Sequence, residues 1–175
     1  MTLAPRTRNL ALTIHLTVSV GWVGAAMAYL ALARAAAHSR DASLIRSSWV
    51  AMELIGWAVL VPLAVGTVVT GLLVSLGTKW GLFRHYWVLI SFTLTSLAAA
   101  ILILHMPDVS TRAAEAQRAD ASELEAIGSD LLHSSFGLVV LLLVLVLNVF
   151  KPRGLTRFGW QRQQRERQPV GPRSA

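Results

Sequence analysis

Histidine is the residue type in this chain with the clearest chemical potential, because four of its five histidines fall in or beside long apolar segments. These four are His15, His85, His105 and His133. Lipid tolerates few polar side chains, so an imidazole in a membrane segment marks a functional site by default. Neutral imidazole also ligates metal ions and haem iron. The pattern therefore indicates ligation, proton transfer or both.

His15 is the histidine placed deepest in an apolar segment. It follows the start of the first segment by six residues, which is about 9 Å along a helix. Trp22 lies on the same helical face, and both side chains are candidates for holding a cofactor. His85 precedes the aromatic pair Tyr86 and Trp87. It is therefore either a second ligand or an anchor at the membrane interface.

A second polar group is predicted at the opposite ends of the same segments. Glu53 opens the second segment, His105 closes the third and His133 opens the fourth. A carboxylate and two imidazoles at one level predict a metal site or a proton relay, and a contact between Glu53 and His133 would orient the imidazole. The alternative is three independent groups that are hydrated at the interface.

Four apolar segments must position these side chains: residues 9–33, 50–76, 86–106 and 131–150. Each reaches the ~20 residues that a membrane-spanning helix needs. The chain is 54% hydrophobic and 14% charged, whereas soluble domains carry about 25% charged residues. The first segment is too long for the apolar core of a signal peptide. We therefore predict that the first helix is not cleaved off, and that the chain is an all-α integral membrane protein with four membrane helices.

Basic residues concentrate on the side of the membrane that carries both termini. Eleven of the sixteen lie there with one acid, Glu166, whereas the other side has five bases and eight acids. Loops rich in Lys and Arg stay cytoplasmic, so the N and C termini are predicted inside. No nucleic-acid recognition module accompanies the charge. The lack of cysteine excludes disulfides, thiolate haem ligands and iron–sulfur clusters.

The connections predict how the helices are arranged. Short links favour an antiparallel four-helix bundle. Pro107 is expected to end the third helix, and residues 111–127 to form a short outer surface helix between helices three and four. Pro62 is expected to kink the second helix. Residues 1–156 form the predicted transmembrane domain, and the basic tail of residues 157–175 is predicted to be disordered.

Small residues form faces on the first two helices. They allow close approach of another helix, and a flat cofactor would need the same space. The glycines on these faces are Gly21, Gly24, Gly66 and Gly71.

The region of residues 10–106 resembles the HemJ and CopD families of bacterial membrane proteins. The resemblance rests on His15 with Trp22-Val23-Gly24, on Pro62, Thr70-Gly71-Leu72 and Lys79-Trp80-Gly81, and on Trp87 with the helix ending at His105. It is similar to small four-helix proteins of actinobacterial inner membranes. The resemblance implies that haem b is bound through His15. The second ligand is then either His85 or no histidine at all. The lysine of HemJ has no counterpart, since Ser91 stands at the matching position.

Two functions of different classes follow from these patterns. The first is a haem b protein with a redox or electron-transfer role, which would work with a membrane redox partner or a second copy of the chain. The second is a non-enzymatic metal-transport or structural membrane protein with an outer site at Glu53, His105 and His133. The sequence leaves open whether the chain is an enzyme.

Overall fold

The structure has four helical segments that are long and apolar enough to cross a bilayer, which agrees with the predicted membrane character. The computed structural model describes residues 4–77, 81–152 and 154–167. Lys79 and Trp80 of the predicted link, Arg153 and residues 168–175 lie outside the described part. The four segments have mean hydropathies between 1.7 and 2.3. They are Pro5–His38, Ala42–Gly77, Tyr86–Arg118 and Leu131–Phe150.

Six α-helices make up the described chain. They are α1 (Pro5–His38), α2 (Ala42–Ile55), α3 (Val61–Gly77), α4 (Tyr86–Arg118), α5 (Leu131–Phe150) and α6 (Arg157–Arg167). Helix α1 packs against α2, α3 and α5, and helix α4 also contacts those three helices. Helices α1 and α4 have 34 and 33 residues, so each is about 50 Å long. Both are longer than the ~30 Å hydrocarbon layer.

Helix α4 continues through Pro107, so the prediction that this proline ends the third helix is wrong. Proline removes one backbone hydrogen bond. Burial of the residues around it offsets that loss, because Met106, Val109 and Ala113 are fully buried. The predicted outer helix over residues 111–127 is therefore not a separate element. Its first part belongs to α4, and a 3₁₀ turn at Leu124–Ile127 follows.

A π-helical turn at Gly56–Leu60 joins α2 to α3 directly before Pro62. The N–H of Val61 donates to the carbonyl of Gly56, a five-residue step that widens the helix. A wide turn relieves the clash between a proline ring and the preceding carbonyl. Pro62 was expected to kink this helix, and the structure has a π turn beside it. Such turns occur frequently at functional sites.

The most completely buried side chains lie around the second half of α4 and the start of α2. Trp49, Met52, Met106, Val109 and Leu124 are each less than 2% exposed. Within the membrane-spanning windows, in contrast, only 11–22% of the residues are buried. The largest fully buried side chains of the core therefore lie at one end of the bundle, and the spans turn most of their apolar surface outward.

Arginine and aspartate side chains satisfy helix ends beside this core. Arg46 donates from Nε to the carbonyl of Ala116 and from Nη2 to that of Ala119, each at 2.9 Å. Asp41 caps α2 by accepting from the N–H of Ser43 at 2.9 Å. The hydrogen bonds from the hydroxyl and N–H of Ser43 lower the pKa of Asp41 below its ordinary value. These contacts order the end of the bundle where the core lies.

The chain after α5 folds back onto the segment that precedes α4. The N–H of Thr156 donates to the carbonyl of Arg84 at 3.1 Å, and the N–H of Tyr86 donates to that of Gly154 at 3.3 Å. The sequence predicts disorder from residue 157 onward, whereas the structure has helix α6 over Arg157–Arg167. Backbone pairing with the chain before α4 is the tertiary contact that places it.

Candidate functional site

The carboxylate of Asp130 is buried and is held by side chains from two other helices. The hydroxyl of Tyr29 donates to its Oδ2 at 2.7 Å. Nε2 of His105 lies 2.8 Å from its Oδ1. Asp130 is 6% exposed, so both of its hydrogen-bonded oxygens are largely withdrawn from solvent. Buried polar groups need such partners, because an unpaired one costs free energy.

Three helices supply these side chains. Tyr29 comes from α1 and is 5% exposed, His105 comes from α4, and Asp130 directly precedes α5. At such a position an aspartate normally caps its own helix, but the side chain of Asp130 makes no capping hydrogen bond. Its backbone carbonyl instead accepts from the N–H and the hydroxyl of Ser134. The carboxylate is therefore directed at α1 and α4.

His133 completes the group by stacking on His105. The two ring centroids are 3.6 Å apart, and the ring planes differ by 18°. Two imidazoles in this contact accept one positive charge more readily than two, because like charges repel. We name the four side chains of Tyr29, Asp130, His105 and His133 the Asp130 network. It forms one continuous path of contacts from α1 to α5.

A second charged pair lies next to the Asp130 network. Nε of Arg112 donates to Oδ2 of Asp108 at 2.8 Å, and its Nη1 donates to the carbonyl of Ile127 at 2.7 Å. The guanidinium also lies over the ring of Trp49, 5.9 Å from the centroid. Asp108 and Arg112 follow His105 by three and seven residues on α4, so the three side chains share one face of that helix. The Asp130 network would therefore gain or lose a proton beside these two charged side chains.

The predicted trio of Glu53, His105 and His133 is only partly assembled. The two histidines meet, but no hydrogen bond or ion pair joins Glu53 to either of them within the described residues. Asp130 provides the carboxylate in its place. Among all the residues that the structure describes, no group of three or more His, Cys, Asp or Glu residues is arranged to hold a metal ion.

Sequence reasoning missed Tyr29 and Asp130, although signals for both were present. His15, Trp22 and Tyr29 follow each other at intervals of seven residues, so they share one face of α1. Asp130 precedes His133 by three residues at the start of a helix, which places the two side chains close together. Neither pattern shows which carboxylate reaches His105, because that choice depends on how α4 and α5 pack.

His15 has a different environment in the seam between α1 and α3. Its Nδ1 lies 2.9 Å from Oγ1 of Thr70, and the Thr70 hydroxyl donates to the carbonyl of Gly66 at 2.6 Å. The single hydroxyl hydrogen is thus used, so Oγ1 accepts from Nδ1–H of His15. This tautomer leaves the lone pair on Nε2, and no hydrogen bond within the described residues engages that atom.

Three of the four glycines that are predicted to give space to a helix or a cofactor are used for helix packing, whereas no atom lies within 4 Å of a Cβ built on Gly24. A Cβ on Gly21 would lie 3.5 Å from Leu63, one on Gly66 would lie 3.6 Å from Val18, and one on Gly71 would lie 3.2 Å from His15 itself. Trp22 is 4% exposed and belongs to the packed core. His15 could thus supply a ligand to haem iron. The seam between α1 and α3, however, leaves no room for the haem ring, because side chains fill it.

His85 directly precedes α4, so it lies at the opposite end of α4 from His105. Its ring centroid lies 6.4 Å from that of Trp87, and its backbone pairs with Leu155. No described contact joins His85 to His15. Ser91, the counterpart of the HemJ lysine, is buried, and its hydroxyl has no hydrogen-bond partner in the described structure. Joint ligation of haem by His15 and His85 therefore stays a prediction.

Comparison with known proteins assigns no family: no protein-family model, no curated protein and no solved structure matches the chain. The resemblance to HemJ and CopD therefore stays a prediction that rests on the motifs quoted above.

Proposed function

We propose that this integral membrane protein works by binding and releasing a proton at the Asp130 network. The observation that carries the proposal is the single carboxylate of Asp130, which accepts from both Tyr29 and His105. Ionisable groups within membrane segments commonly mark proton or ion pathways. Here a phenol, a carboxylate and one imidazole are joined by hydrogen bonds, so a proton can pass among Tyr29, Asp130 and His105 without crossing lipid. The stacked ring of His133 offers a second place for a proton beside them.

The hydrogen bonds indicate where a proton would be held. Asp130 accepts twice as a carboxylate, and a neutral His105 that donates from Nε2 keeps a lone pair on Nδ1. A proton that arrives at Nδ1 turns His105 into an imidazolium paired with Asp130. A second proton on His133 would place like charges in rings 3.6 Å apart, so the network takes up protons one at a time.

Proton binding in this network acts on helix packing as well as on charge. Tyr29, His105 and Asp130 belong to α1, to α4 and to the residue before α5. A change in any one of these hydrogen bonds therefore changes how three helices are held at one level. That coupling is the physical basis for a proton-linked conformational change or transport step.

The expected membrane orientation places the network on the outer side. The excess of basic residues beside the termini predicts that both termini are cytoplasmic, and the short connections predict an antiparallel four-helix arrangement. His105 lies nineteen residues after the start of α4, which is about 28 Å along the helix. That length approximately equals the hydrocarbon thickness. The network would then face the periplasmic boundary of a bacterial inner membrane.

Histidine ring-nitrogen NMR of the full chain tests this proposal. The five histidines are assigned by single His→Gln variants, and each signal is followed over pH ~5–8, the range in which histidine titrates. We expect Asp130→Asn to shift the titrations of His105 and His133 and to leave that of His15 unchanged. The matched control is Asp120→Asn, which removes an exposed carboxylate from the same connecting segment. Identical titration of His105 in both variants would reject the proposal.

Haem b ligation by His15 is the second candidate function. It is favoured by the contact of Nδ1–H with Thr70, since ligating histidines usually have the second ring nitrogen fixed in this way. Because the α1–α3 seam is filled, the haem would lie on the lipid-facing surface or between two copies. Reduced absorption spectra of the purified protein and of His15→Ala provide the test. A protein that takes up no haem would eliminate this candidate.

A further inference from the structure

The docked tail creates a groove next to the start of α4. The groove has a volume of about 400 Å³. It is lined chiefly by Tyr86, Thr156, Arg157, Trp160, Gln161 and Gln164, and we name it the α6 groove. It lies far along the chain from the Asp130 network, and neither candidate function uses it. Its composition, with one guanidinium, two amides and two aromatic rings, differs from that of the lipid-facing spans.

The groove is a built feature of the fold, because backbone contacts hold its two sides together. The hydroxyl of Thr156 donates to the carbonyl of Phe83 and accepts from the N–H of Gly159 at 3.0 Å. A Cβ on Gly159 would lie 3.1 Å from the carbonyl carbon of Arg84. Only glycine permits this close approach of α6 to the chain before α4.

One helical face of α6 presents the polar side chains. Arg157, Gln161 and Gln164 follow each other at intervals of four and three residues, so they lie on the same face. Within the described residues, no carboxylate pairs with Arg157. A guanidinium binds phosphate oxygens in a fixed forked geometry, and side-chain amides can donate additional hydrogen bonds to them.

The position of the groove relates it to the membrane surface. Tyr86 is the first residue of the membrane-spanning helix α4. The rings of Tyr86 and Trp160 are 50% and 58% exposed. Aromatic side chains of this kind concentrate at the level of lipid headgroups. The chain from residue 151 onward carries seven basic residues and one acid, a charge that complements anionic lipid.

We propose that the α6 groove binds the phosphate headgroup of an anionic phospholipid. Arg157 contacts the phosphate, Gln161 and Gln164 donate to headgroup oxygens, and Tyr86 and Trp160 flank the glycerol region. The site would tie α6 to the membrane surface on the side of the termini.

Lipid binding to the full-length protein in a neutral detergent tests the proposal. The probes are a short-chain phosphatidylglycerol, the phosphatidylcholine of the same chain length, and inorganic phosphate. Phosphatidylglycerol should bind more tightly than the other two. A hydrogen bond to a charged group contributes about 1.5 kcal/mol or more, so loss of the direct contact in Arg157→Gln should weaken phosphatidylglycerol binding about tenfold.

Arg6→Gln is the matched control, because it removes the same charge from the terminal side at an exposed position outside the groove. It should leave the affinity unchanged. Gln161→Leu supplies an independent arm if Arg157→Gln does not fold, and it should weaken binding as well. Equal losses in Arg157→Gln and Arg6→Gln, equal affinity for the two lipids, or equal affinity for inorganic phosphate would each overturn the proposal.

Discussion

Tyr29 offers a direct test of the Asp130 network, because one oxygen atom links it to the carboxylate. Tyr29→Phe removes the 2.7 Å hydrogen bond and keeps the buried ring. Hydrogen bonds to charged groups contribute about 1.5–3 kcal/mol, whereas side-chain hydrogen bonds between membrane helices average ~0.6 kcal/mol. Asp130 is 6% exposed, so water replaces the lost donor incompletely. We therefore expect the free energy of unfolding to fall by about 2 kcal/mol.

A double-mutant cycle measures whether this loss comes from the contact itself. Unfolding in mixed micelles is followed for the parent protein, Tyr29→Phe, Asp130→Ala and the double variant, because alanine, unlike asparagine, leaves no acceptor for the Tyr29 hydroxyl. Because the two groups share one hydrogen bond, the double variant should lose less stability than the two single losses combined. The expected coupling energy is about 1–2 kcal/mol, within the range for residues in one network.

Tyr86→Phe is the control for removal of a phenolic hydroxyl. Tyr86 is 50% exposed, and substitutions at exposed positions usually change stability by less than ~0.5 kcal/mol. If Tyr29→Phe falls in the same range, or if the cycle gives no coupling to Asp130, the hydroxyl does not support the carboxylate. Proton binding at the Asp130 network would then lack the contact between Tyr29 and Asp130 on which the proposal rests.

Two glycine substitutions test other parts of the packing. Gly56→Ala should destabilise the bundle by about 1–2 kcal/mol in the same unfolding assay, because the new Cβ would lie 2.6 Å from the buried sulfur of Met106 and overpacking costs ~1–3 kcal/mol. Gly137→Ala, where no atom lies within 4 Å of the new Cβ, should be neutral or stabilising. Gly159→Ala should release α6 from the backbone of Arg84 and speed proteolysis of the tail, and an unchanged cleavage rate would contradict the docking.

Much of the fold was accessible from the apolar pattern. The four segments could be located from composition alone, because a membrane span needs about 20 apolar residues whatever its neighbours are. The structure differs from the prediction at Pro107 and at α6, and at both places tertiary packing overrides a local sequence rule. Pro107 stays inside α4 because the side chains on both sides of it are buried against other helices. Helix α6 forms where composition predicted disorder, and its contacts with the chain before α4 are tertiary.

The candidate site was less accessible. The sequence pointed to His105 and His133 at one level, and the structure brings their rings into contact. It could not identify the carboxylate, because Glu53 and Asp130 both lie near helix ends on the same side of the predicted membrane. Only the packing of α1, α4 and α5 selects Asp130 and adds Tyr29 to it.

The sequence by itself determined that this is a helical membrane protein with histidines at two depths, because hydropathy and helix length act locally along the chain. The rotation of each helix about its axis was decided only in the tertiary structure. That rotation directs His15 to Thr70, fills the glycine face with side chains, and joins Tyr29, Asp130 and His105. It depends on side chains from several helices at once, and for that reason no single segment encodes it.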